Sequence, residues 1–149
     1  MAAFKFRLAR VLGWYRKQGQ LEEDRLRACL AEMARADAHL AQLLESRRKV
    51  ERDVVDARFV NAPDLAALDG YRERSRRDEQ ALHDTRARIK LRAEEHRTRL
   101  MALRTRIRLL EKLSERRLAE HLTEEERELE ELAADAFRAA SFQSRAGTS

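Results

Sequence analysis

Four histidines, one cysteine and a run of three glutamates are the side chains that could do chemistry in this 149-residue chain. His39, His83, His96 and His121 stand far apart, with no HxxxH and no Cys–His pair, so the spacing of a metal site is missing. They are expected on a helix seam or at the surface. Cys29 is the sole cysteine, which excludes an internal disulfide framework and fits a reducing cytosol. It falls at apolar spacing beside Leu26 and Met33, where a free thiol behaves as a small hydrophobe. Glu124, Glu125 and Glu126 lie together without a partner base or an enclosing pocket, so acid–base catalysis has nothing to rest on. No GxGxxG, GxxxxGK[ST] or GxSxG sequence occurs. The expectation is a protein that is not an enzyme and takes no cofactor.

Binding chemistry is better represented. Residues 86 to 117 carry 12 basic against 4 acidic groups (+8), and residues 118 to 140 carry 2 against 8 (−6). Arg88, Arg92 and Arg99 are spaced for one helix to display together. A phosphate-binding face would need them clear of any seam. The stretch lacks interleaved aromatics and has acidic neighbours on both sides, which weighs against nucleic acid and towards a protein partner. The second candidate is the N-terminus. Phe4, Phe6, Trp14 and Tyr15 put four of the chain's eight aromatics into its first fifteen residues. With Leu8, Val11 and Leu12, and with Arg7, Arg10 and Arg16 among them, they make a docking end. The first twenty residues hold five basic groups and no acid, but no serine and no long apolar run, so they read as mature helix rather than a targeting segment. No run approaches the roughly 18 apolar residues of a membrane span.

The elements that must position these residues are helices. Charged residues make up 40% of the chain and aromatics 5%, the balance of long helices rather than of a thick core. In the first arm Leu26, Cys29, Met33, Ala36, Leu40, Leu43, Val50, Val54 and Ala57 recur in steps of three and four, with Arg47 as the one charged intruder. That is a coiled-coil repeat. Extended backwards it catches Leu8, Leu12 and Tyr15 and fails at Gly19 and Glu22, which predicts a defect or bend near Gly19. In the second arm Leu65, Leu68, Leu82, Ile89, Ala93, Leu100, Leu103, Ile107 and Leu110 share a register with His96, weakened early by Arg72, Ser75, Glu79 and Arg86. The phase slips after Leu110. Thr123 and Glu126 have the spacing of a capping box, but without a Gly or Pro the helix is expected to continue.

Between the arms stands Pro63, the only proline. It lacks an amide hydrogen and pushes Ala62 away from helical geometry. Asn61 can cap a new helix and Asp64 suits its positive end. The predicted fold is all-α: a long antiparallel two-helix coiled-coil hairpin forming a single domain. Its first helix runs from about 4 to 60, the turn covers 61 to 64, the second helix runs from about 64 to 140, and 141 to 149 form a disordered tail. At about 1.5 Å per residue the second arm overhangs the first by roughly 25 Å.

Three segments resemble the flagellar FliJ family: "FKFRLARVL" at 4–12, "DLAALDGYRERSRRDEQAL" at 64–82, with Tyr71 where an aromatic commonly follows the turn, and "LLEKLSERRLAEHLTEEERELEELA" at 109–133. They stand in the family's order and span nearly the whole chain. "ELAADAF" departs from the family's usual close. The resemblance implies a cytoplasmic component of the type III protein export apparatus, peripherally associated with the inner membrane through its partners. It implies a stalk that enters the ring of the export ATPase hexamer, engages the cytoplasmic domain of the membrane export gate, and escorts export chaperones. By motif position the ATPase-facing surface is expected on Phe4, Phe6, Arg7, Leu8, Val11 and Leu12 with Leu110, Lys112, Leu113, Arg116 and Arg117. Tyr71 is the expected contact for the gate. Stalk proteins of virulence type III secretion share the pattern, and a coiled-coil structural or nucleic-acid-binding protein is the rival from another class.

Overall fold

The computed structural model describes residues 3–57 and 61–148. These residues are all-helical, without strands, and two long helices pack against each other. Helix α1 (Ala9–Asp56) has 48 residues and helix α2 (Ala62–Ala146) has 85. Neither is long and apolar enough in any window to cross a membrane. The chain divides into two compact units, Gly19–Ala102 on the one hand and Met1–Gln18 with Leu103–Ser149 on the other.

Helix α2 starts where its capping chemistry dictates. The amide of Asp64 donates to Asn61 Oδ1 at 3.0 Å, and the amide of Leu65 donates to the Asn61 carbonyl at 3.2 Å, so Asn61 is the N-cap. Pro63 falls in the first turn, where its missing donor has no helical acceptor to serve. The predicted turn at 61–64 is therefore too long: Ala62 already belongs to α2. Phe59 and Val60 lie outside the described residues. At Thr123 the helix continues, and the hydroxyl donates to the Ala119 carbonyl at 2.9 Å instead of capping anything. Helix α2 also runs past the expected end near 140, taking up 141–146 of the supposed tail. Nothing before Gly147 breaks it; there the amide of Gly147 closes the last turn on the Gln143 carbonyl at 3.0 Å.

In the Gly19–Ala102 unit the seam holds the core. Cys29, Ile89 and Ala93 are buried together with Leu26 and Met33 packed on them, and Ala36, Leu68 and Leu100 are buried as well. The small residues at Cys29, Ala36 and Ala93 allow two backbones to approach, while Leu68, Ile89 and Leu100 are the large apolar side chains buried there. The charged residues that interrupt the repeat are matched across it. Arg47 reaches Glu79 at 3.0 Å, Arg72 reaches Glu51 at 3.0 Å, Arg86 reaches Asp37 at 2.6 Å and Arg92 reaches Glu32 at 3.0 Å. Pairs this open contribute about 0.2–1 kcal/mol each. Their larger effect is on register, because a slipped alignment leaves each charge facing an apolar neighbour.

The expected failure at Gly19 and Glu22 does not occur. Helix α1 is uninterrupted there, and both residues are buried within the packed face. Glu22 is tolerated because Oε2 lies 2.6 Å from His96 Nδ1 and Oε1 accepts from Arg25 at 2.9 Å. Burial pushes the Glu22 carboxyl up. The hydrogen bonds and positive charges of His96 and Arg25 outweigh it and hold the group below its usual value. An ionised carboxylate only accepts, so His96 Nδ1 carries the donated proton. A carboxyl depressed in this way stabilises the fold fully above the ordinary carboxylate pKa of about 4.3, and that stability is lost as pH falls through the lower folded value. Thermal melts followed by circular dichroism should therefore show Glu22→Gln lying below wild type at pH 6 and converging on it towards pH 3, as an order-of-magnitude window. A constant gap across that range would remove the carboxylate from the account.

Candidate functional site

The unit made of residues 3–18 and 103–148 brings the N-terminal motif onto α2. The expected helix from residue 4 begins only at Ala9. Before it, Phe4, Phe6 and Leu8 are half-buried while Ala3, Lys5 and Arg7 are exposed, the alternation of an extended segment rather than a helical stripe. "AFKFRL" has that period of two, and the segment has no side-chain N-cap to nucleate a turn further upstream. The turn forms at the last moment, with the Ala9 amide donating to the Phe6 carbonyl at 3.1 Å and the Leu12 amide to the Leu8 carbonyl at 2.9 Å.

This extended strip borders an open groove of about 790 Å³ lined by Phe4, Phe6, Leu8, Leu113, Arg117 and His121, among others. The Phe4 ring stands 5.6 Å from that of His121, tilted by 44°. His121 Nε2 in turn lies 3.2 Å from Glu125 Oε1. Further along, Arg16 pairs with Glu111 at 3.0 Å, and the Arg106 guanidinium lies 5.7 Å from the centre of the Tyr15 ring. Trp14 meets Tyr15 edge-on at 5.1 Å and stays largely exposed.

The structure thus gathers six of the eleven expected docking residues, Phe4, Phe6, Arg7, Leu8, Leu113 and Arg117, around one groove. It separates the others. Leu12 is buried and Leu110 is half-buried. Val11, Lys112 and Arg116 are exposed but do not line the groove. His121, Glu120 and Glu124 complete its wall, and sequence reasoning had set them aside as seam, surface or overhang. The available signal lay in the heptad positions of Leu8 and Leu12, which tie the N-terminal strip to the start of α1, but nothing in the sequence places His121 opposite Phe4.

No family model, curated protein or solved structure matches this chain.

In the Gly19–Ala102 unit, Tyr71 is half-buried beside a shallow cavity of about 340 Å³ lined by Val50, Asp53, Val54, Ala57, Asp64, Ala67 and Leu68. Asp53 and Asp64 give that apolar hollow a negative rim. Neither the groove nor the hollow encloses a reacting centre.

Proposed function

We propose that the chain is a non-enzymatic stalk of a type III protein export apparatus, binding the export ATPase hexamer through the groove at Phe4, Phe6 and Leu8. The observation that carries this reading is the extended N-terminal strip: the first family-like segment places apolar and cationic side chains together beside Leu113 and Arg117, which come from the segment at 109–133. An aromatic and aliphatic strip with Arg7 and Arg117 beside it suits a protein surface with apolar pockets and carboxylates. An antiparallel coiled-coil hairpin is the architecture that goes with the reading. In its support, partners on α2 descend in number from His96 through Arg92, Arg86 and Glu79 to Arg72 as those on α1 rise from Glu22 to Glu51. The hollow at Tyr71 is the surface assigned to the export gate's cytoplasmic domain, which would bring a cytoplasmic protein to the inner membrane through its partners. Export-chaperone escort belongs to the same reading. The nucleic-acid rival is weakened by Arg86 and Arg92, which are engaged with Asp37 and Glu32.

The test uses the full-length chain with a purified export ATPase hexamer. Phe6→Ala with Leu8→Ala is expected to lower ATPase binding by about thirtyfold or more, the loss of two interface anchors of about 1 kcal/mol each being the minimum. Helicity by circular dichroism guards against unfolding, and Arg7→Glu with Arg117→Glu probes the same groove through exposed groups alone. In a parallel pull-down Tyr71→Ala should lose the gate domain while retaining the ATPase. Unchanged ATPase binding by both groove variants rules out the assignment, whereas tight, steeply salt-dependent binding to DNA would favour the rival.

A further inference from the structure

Beyond the groove, α2 continues as a single helix with one apolar face uncovered. Leu118, Leu122, Leu129, Leu132, Ala136 and Ala140 fall within roughly 100° of arc at 3.6 residues per turn. All six are exposed, Leu129 by 49% and Leu132 by 64%. Of the groove-lining residues on this helix, Leu113, Arg117 and Glu124 point about a quarter-turn or more away from the centre of the stripe, while His121 falls at its edge. Carboxylates border the stripe on both sides, Glu128 along one edge and Glu126 and Glu130 along the other, while Glu125 falls within the arc, half-buried and 3.2 Å from His121. Over residues 118–140 eight acidic groups oppose two basic ones, and Arg138 is occupied by Asp135 at 3.3 Å.

We propose that residues 118–140 of α2 dock a basic amphipathic helix of a partner protein, with the stripe receiving its apolar anchors and the flanking glutamates its lysines and arginines. The inference does not depend on the stalk reading, because it uses none of the groove residues. Charge selects the occupant. A second copy pairing through the same stripe would set the carboxylates along its edges against those of the first, and an anionic membrane would repel the same edges. A basic helix satisfies both the apolar face and its borders, and anchors at spacings of four, seven and three match helix-on-helix recognition. The host segment is rich in Leu, Glu and Ala, strong helix formers, so it presents the stripe without needing the guest to order it.

The experiment is a titration of the full-length protein with a labelled synthetic helix carrying leucines at i, i+3, i+4 and i+7 and lysines elsewhere. Saturable binding is expected, with affinity falling about tenfold or more in Leu129→Ser with Leu132→Ser, a change of at least 1.4 kcal/mol made without altering charge. Glu126→Lys with Glu130→Lys should weaken binding and flatten its salt dependence. All four positions are solvent-exposed, so these variants should keep wild-type helicity. Equal binding of a scrambled peptide of the same composition would reduce the surface to non-specific charge and overturn the proposal. It is overturned equally by self-association that the leucine variant abolishes, which identifies a second copy as occupant, by binding to anionic vesicles, or by no binding at all.

Discussion

Ile89→Ala is expected to destabilise the protein by about 2–5 kcal/mol, measured as a shift in urea midpoint at unchanged slope. Ile89 is 5% exposed and lies against Cys29 and Ala93, with Leu26 and Met33 closing over it. Cys29 and Ala93 are too small to fill the void left by three methyl and methylene groups, so filling it falls to Leu26 and Met33 alone. Two packed helices also offer no further layer from which to recruit atoms, and no described side chain reaches complete burial. Against a typical total of 5–15 kcal/mol this single truncation removes a large share. Leu109→Ala is the matched control: Leu109 is 63% exposed, and its loss should fall within about 0.5 kcal/mol. Equal effects at the two positions would mean that the seam is not where the apolar energy resides.

The second large effect is a non-additive one. Glu22→Leu and His96→Leu should each cost about 2 kcal/mol, because each leaves a charged or polar group in the seam without its 2.6 Å partner. The double substitution should recover most of that loss or exceed wild type, since two leucines at facing seam positions restore an apolar layer. Side-chain exposures of 9% and 17% place the pair deep enough for this logic to hold. The cycle is read from denaturation midpoints of the four proteins. Simple addition of the two losses would show that Glu22 and His96 do not act on each other.

The same pair explains where the sequence was opaque. The repeat from Leu26 to Ala57 and from Leu82 to Leu110 is dense enough to predict two helices, and Asn61 before Pro63 predicts the cap that forms. Gly19 and Glu22 read as a lapse because their fitness for a seam depends on His96, which is 74 residues away. A local pattern cannot supply that. The charged interruptions Arg47 and Glu79 were likewise visible only singly, although they become intelligible together. At the N-terminus the difficulty was one of competing periods: Leu8 and Leu12 fit a heptad continued backwards, and that fit masked the strict alternation of Phe4, Phe6 and Leu8. The end of α2 was misjudged because a run of Ala and charged residues has no intrinsic stop before Gly147. For the candidate site, motif position pointed to the groove, while the folded packing buries Leu12 away from its lining and brings His121 into its wall.

Cys29 gives the molecule a built-in clock. It is the chain's only thiol, and it is buried against Ile89 and Ala93. A thiol reagent can reach it only when the helices part locally, so the labelling rate counts separations per unit time. No probe need be engineered and no second sulfur confuses the signal. The small residue that lets two backbones approach thereby reports how often they let go.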